Sequence, residues 1–156
     1  MAYTFDKARI RTAVYRGVRD GLERVAVRFQ NQVVRMLSRP GGGARAIRYY
    51  TDKKGKRRRS KRYARSLPGQ PPAVQTGTLR RSFQRGRSKA VVLGTVAVVK
   101  VGSNLKYARW LEEGTSRGLA PRPYVAPVLA RFTEARVAAI VNGTIARALR
   151  EAGLSR

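Results

Sequence analysis

The stretch "TLRRSFQRGRSKAVVLGTVAVVKVGS", Thr78 to Ser103, decides the fold class. It carries Val91, Val92, Val96, Val98, Val99 and Val101, with Gly86, Gly94 and Gly102 as punctuation. β-Branched residues suit a pleated surface, and glycines within such a run mark turns. The pattern predicts two or three antiparallel strands, with turns at Gly86–Lys89 and Gly94–Thr95. Ala97, Val99 and Val101 fall on one face of the last strand, Val96 and Val98 on the other. Both faces are therefore largely apolar. One is expected to pack on helices, the other to be covered by a further subunit.

Helical patterns flank this segment. Ile10, Val14, Val18, Leu22, Val25, Phe29, Val33 and Met36 recur at steps of three or four, which predicts one helix over about Asp6–Ser38. Asp6 caps its start and "SRPGGG" stops it. Gly17 and Gly21, one turn apart, face the same way and permit a close backbone approach. "NLKYARWLEEGT" reads as a short helix ended by Gly114. A long helix follows from about Val125, with Pro127 in its first turn. Its apolar side is drawn by Val128, Leu129, Phe132, Ala135, Ala139, Ile140, Ile145 and Leu149.

The expected class is α+β, with helices packed on a small antiparallel sheet. Within one domain, 1–156, the segments are 1–38 N-terminal helix, 39–75 basic Gly/Pro-rich loop, 76–103 strands, 104–115 short helix and 123–152 C-terminal helix.

Composition narrows the chemistry. Thirty-five Lys and Arg against eight Asp and Glu give a net charge of +27, so a polyanion or an acidic protein is the expected partner. The chain has neither Cys nor His, which removes thiolate ligands, imidazole ligands and the commonest general base. The one adjacent carboxylate pair, Glu112 and Glu113, diverges by about 100° on a helix and cannot act together. No enzyme activity, cofactor or metal is expected. "MAYTFDKARI" lacks the apolar core of a secretory signal, and "AVVLGTVAVV" is too short to span a bilayer. The chain is expected to be soluble in the cytosol when made, with no membrane partner.

Between Arg45 and Arg65 eleven basic residues face Asp52 alone, interleaved with Tyr49, Tyr50 and Tyr63. Such a run suits phosphate contact and base stacking, yet a solvated loop has the same composition. "DKKGK" also reads as the tip of a two-stranded ribbon with arms Arg48–Tyr50 and Ser60–Tyr63. The candidate contacts to DNA or to an acidic partner are Lys53, Lys54, Lys56, Arg57, Arg58, Arg59, Lys61 and Arg62.

Three further blocks stand in order: "SLPGQPPAVQTGTLRRSF", "YARWLEEGT" and "APRPYVAPVL". Together they resemble the phage family typified by the gene-product-10 protein of HK97, whose members are neck or tail-completion proteins. The matching positions are Pro68, Gly69, Pro71 and Pro72, then Thr76, Gly77, Leu79, Arg80 and Ser82. They continue through Tyr107, Ala108, Trp110, Leu111, Glu112, Gly114 and Thr115 to Arg122, Pro123, Tyr124, Val125 and Pro127. Physically these residues set fold and assembly. Gly77 relieves a turn into the first strand, Tyr107 with Trp110 or Leu111 faces a packing surface, and Glu112 is placed to pair with Arg122.

The resemblance implies a structural virion protein of the neck or tail. It would form a homo-oligomeric ring, a hexamer, that joins the DNA-filled head to the tail. Its partners would be the adjoining head-connector ring on the portal side and tail proteins, with phage DNA in the lumen. Assembly would take place in the host cytoplasm. The rival reading is a sequence-nonspecific nucleic-acid-binding protein acting through residues 45–65.

Overall fold

The computed structural model describes residues 6–39, 41–43, 45–46, 49–59, 63–74, 76–85 and 89–154. In chain order the elements are α1 (Lys7–Met36), β1 (Arg45–Ala46), β2 (Tyr49–Thr51), β3 (Arg57–Arg59), β4 (Tyr63–Ala64) and α2 (Thr78–Arg85). β5 (Ala90–Leu93), β6 (Val96–Val99), α3 (Lys106–Glu113), α4 (Ala126–Leu129) and α5 (Glu134–Glu151) complete it. The class is α+β, with antiparallel pairs β1–β4, β2–β3 and β5–β6. Two compact units form: one from residues 1–30, 86–102 and 129–156, the other from 31–85 and 103–128.

In the first unit Asp6 caps α1, its carboxylate accepting the Arg9 N–H at 3.0 Å. Within this unit the buried residues of the helix are small, Ala13, Gly17, Gly21 and Ala26, while Val33, at 0% exposure, is buried further along in the second unit. The larger apolar side chains of the predicted stripe in this unit flank the small ones. A Cβ on Gly17 would lie 2.5 Å from Ile145 Cα, and one on Gly21 would lie 2.9 Å from Val141 Cα. The α1 and α5 backbones therefore meet with no room for a methyl group. Thr144, buried, sets its hydroxyl 2.8 Å from the Gly17 carbonyl, where it can donate.

The hairpin β5–β6 pairs Val91 with Val98 and Leu93 with Val96. Gly94, at φ 58°, opens the predicted two-residue turn as the first central residue of a II′ turn does. Ala90 is buried and donates its N–H to Glu23 at 3.3 Å, with Val92, Ala97 and Val99 half-buried on that face. The opposite face carries Val91, Leu93, Val96 and Val98 in the open, Leu93 at 70% exposure. The second expected turn, at Gly86–Lys89, falls on residues 86–88, outside the described residues.

Two expectations are corrected. Residues 78–85, assigned to the strands of 76–103, form α2 instead. Leu79 and Phe83 are four apart, so one helical face carries both, and Arg81 N–H already bonds the Gly77 carbonyl at 2.9 Å. Gly77, at φ 71°, makes the predicted turn, but the turn starts a helix. The C-terminal helix of 123–152 is also broken, into α4 and α5. Thr133 adopts extended dihedrals (φ −61°, ψ 154°), and Phe132 sets its ring edge-on to Phe29 at 5.5 Å. The Phe132 N–H turns back to the Leu129 carbonyl at 2.8 Å, and α5 starts afresh with Val137 N–H on the Thr133 carbonyl at 3.0 Å.

Candidate functional site

The second unit brings the three sequence blocks to one corner. Pro68 and Gly69 are the central residues of a turn closed by Gln70 N–H to the Leu67 carbonyl, 3.1 Å, with Gly69 at φ 75°. This is the proline–glycine order that a type II turn demands. Gly69 N–H then donates to the Pro121 carbonyl at 3.0 Å, which ties the first block to the third. Pro72 is buried and Pro71 half-buried beside it.

In α2, Ser82 Oγ lies 2.6 Å from the Leu79 carbonyl and 2.7 Å from Ser103 Oγ. Thr76 Oγ1 accepts the Thr78 N–H at 3.4 Å, a loose start to the helix. Phe83, buried, presents its face or edge to Tyr124 at 6.0 Å between centroids and 89° between planes. Tyr124 is 1% exposed, and its hydroxyl donates to the Ala108 carbonyl at 3.0 Å. Burial, with the Glu112 charge adding to it, pushes the Tyr124 phenol up to about 12.

The expected Glu112–Arg122 ion pair does not form. Arg122 N–H binds the Leu111 carbonyl at 2.8 Å, and the chain then runs past Glu112 so that the next amides point at its carboxylate. Glu112 accepts from Tyr124 N–H at 2.8 Å, Val125 N–H at 3.0 Å and Ala126 N–H at 2.8 Å. Three amides on successive residues satisfy the carboxylate where one guanidinium was expected, and they start α4. Gly114 makes this return path: at φ 80°, a Cβ there would lie 2.6 Å from the Leu119 carbonyl oxygen. Thr115 closes the loop with Leu119 through a 2.9 Å amide bond and a 3.3 Å bond to its hydroxyl. Glu113 instead pairs with Arg109 on the surface at 2.8 Å.

On α3, Ala108 faces inward while Tyr107 and Trp110 are exposed, Trp110 at 53%. Leu111 rather than Trp110 takes the packed position. Pro123 and Pro127 are half-buried, on either side of Tyr124. A cleft of about 670 Å³ opens beside this corner, lined in part by Thr76, Gly77, Leu79, Arg80, Tyr107 and Arg122. The predicted motif residues thus converge. Sequence reasoning missed that Arg80 and Arg122 would both reach this cleft.

The basic segment forms a ribbon about the predicted tip, but its arms are Tyr49–Thr51 and Arg57–Arg59 rather than Arg48–Tyr50 and Ser60–Tyr63, and Tyr63 pairs with Ala46 instead. Asp52 organises its tip, accepting the N–H of Lys54 and of Lys56 at 2.9 Å each. Arg58 Nε also donates to Asp52 at 3.0 Å, and that bond holds the carboxyl below the usual range. Arg58 is therefore engaged within the ribbon. Arg57 stacks on the Tyr49 ring at 4.5 Å, while Lys53, Lys54, Lys56 and Arg59 are exposed. Lys61 and Arg62 lie outside the described residues.

No group of carboxylates among the described residues could hold a metal ion. No described helix is long and apolar enough to cross a membrane. The chain matches no curated protein and no solved structure. The family profile described as "Bacteriophage HK97-gp10, putative tail-component" matches residues 13–114, from the small-residue line of α1 to the Gly114 turn. A match over that share of the chain decides the assignment: the chain belongs to the HK97-gp10-like family of phage tail components.

Proposed function

We propose that copies of this chain form a closed ring, a hexamer, in the neck of a tailed phage, and that the ring joins the DNA-filled head to the tail. The observation that carries this reading is the open apolar face of Val91, Leu93, Val96 and Val98 on a β-hairpin of a virion-protein family member. A valine and leucine face in water is costly, and neighbouring copies would remove it from solvent. Ring symmetry needs two different surfaces on each subunit. Trp110, exposed on the other compact unit, supplies an apolar group for the second.

In this reading the motif residues act without chemistry. Pro68, Gly69, Gly77, Glu112, Gly114 and Tyr124 fix a rigid corner, and the ring assembles in the host cytoplasm before heads meet tails. The cationic tip at Lys53, Lys54 and Lys56 reaches acidic surfaces of an adjoining ring. Electron microscopy of a lysate from phage lacking the gene tests the proposal. Filled heads and separate tails are the expected result; complete particles would refute it.

The ribbon favours a second reading, because Tyr50 is exposed near the cationic tip and Tyr49 carries Arg57 on its ring, a surface able to stack bases. Binding to random duplex DNA should then weaken by about 0.9 log units per phosphate contact for each log unit of salt. Head–tail joining would be unaffected by loss of the ribbon tip only if DNA binding were its whole role.

A further inference from the structure

The cleft beside the motif corner has a cationic lining, in which Arg80 Nη1 donates to Ser38 Oγ at 3.4 Å. Arg65, Arg80 and Arg122 line it together with Leu37, Pro72 and Leu79, and no described Asp or Glu does. The Nε atoms of Arg80 and Arg122 are buried without a hydrogen-bond partner among the described residues. A buried donor left without a partner is costly, and more so when charged. A guanidinium cannot escape by losing its proton. Three arginines lining one cleft, with no described acid beside them, mark a place for an anion.

We propose that the cleft binds a carboxylate-bearing peptide segment of another virion protein. An Asp or Glu side chain engages Arg80 and Arg122, and an apolar neighbour in that segment packs against Leu37 and Leu79. Planar, bidentate carboxylate recognition is what the paired Nη donors of a guanidinium suit best. The apolar walls disfavour duplex DNA, whose phosphates are met on open surfaces. A second copy of this chain is a poor occupant. Asp20, Asp52, Glu113 and Glu151 pair with its own arginines. Asp6, Glu23 and Glu112 accept its own amides. That leaves Glu134 of the eight, on a chain of net charge +27.

This inference rests on the reading of the chain as an assembly component, and its test is separable from that reading. The probe is a fluorescent, end-capped octapeptide of alternating Leu and Glu, with the Leu/Gln peptide as control, measured by anisotropy at 150 mM salt. The Leu/Glu peptide should bind and the Leu/Gln peptide should not. Arg80→Gln with Arg122→Gln should weaken binding by about tenfold or more, as loss of a charge-assisted fork does. Lys7→Gln with Lys100→Gln removes the same charge from exposed positions given no contact role and should change it by less than about threefold, as exposed charges do.

Val74→Trp fills the cleft rim without altering any charge and should also weaken binding about tenfold. It carries the test if the double arginine variant does not fold. Equal losses in the cleft variant and in the Lys7/Lys100 variant, or full binding by Val74→Trp, would overturn the proposal. So would a short oligonucleotide bound by the wild type but not by the arginine variant, or self-association abolished by Val74→Trp. Absence of the chain from virions would defeat the neck reading and leave these binding results as they are.

Discussion

Glu112 accepts the backbone N–H of Tyr124 at 2.8 Å, and the buried Tyr124 hydroxyl returns to the same helix by donating to Ala108 at 3.0 Å. The two residues stitch α3 to the proline-rich segment from both sides. Gly114 turns the chain between them, and Phe83 packs on the tyrosine ring. All three blocks that carry the family resemblance meet through this pair.

Replacing Glu112 by Ala removes an acceptor from three amides at once. The expected cost is about 3 kcal/mol, a fall of roughly 6–12 °C in melting temperature for a chain of this size. Glu112→Gln, which keeps one good acceptor, should lose less. The exchange Glu112→Arg with Arg122→Glu should give no rescue. Recovery of stability in the exchange, followed by thermal unfolding, would restore the ion pair excluded above.

Tyr124→Phe should cost about 1 kcal/mol near neutral pH, the value of one buried hydrogen bond. The pH dependence has a definite sign. Folding raises the Tyr124 phenol from 10.0 to about 12, so the folded chain holds a proton that the unfolded chain releases in that window. The tyrosine's contribution is complete below pH 10 and is lost as pH rises through 12. The stability gap between wild type and variant should therefore narrow above pH 10. A gap constant to pH 12 in denaturant titrations would contradict this burial.

Gly17→Ala puts a methyl group 2.5 Å from Ile145 Cα. Helix propensity gains up to about 1 kcal/mol from the change, while overpacking costs about 1–3 kcal/mol. With backbone rather than a flexible side chain in the way, the loss should win. A stabilised Gly17→Ala protein in urea unfolding would mean that α1 and α5 are further apart.

Much of this was legible in the sequence because local patterns carried it. The Asp6 cap, the Gly17–Gly21 approach, the Gly94 turn and the ribbon tip each follow from a few adjacent residues. The helix at Thr78–Arg85 was not, since its flanking valines suggested strand and only the Leu79–Phe83 spacing argued otherwise. The break before Glu134 goes with Phe132 meeting Phe29, a contact about a hundred residues distant in sequence that periodicity cannot express. The sequence offers Arg122 as the partner of Glu112, whereas the structure supplies three backbone amides. Backbone amides leave no mark in a sequence, whereas Arg122 does. The shared cleft of Arg80 and Arg122 was hidden for the same reason, as it exists only once α2 and the Arg122 segment are placed.

The ring itself is tested most directly by a symmetry-resolved reconstruction of the virion neck. The account predicts a closed ring of this chain at the head–tail junction, with Val91, Leu93, Val96 and Val98 buried between neighbouring copies. A virion without the chain, or copies whose hairpin face lies open to solvent, would contradict it.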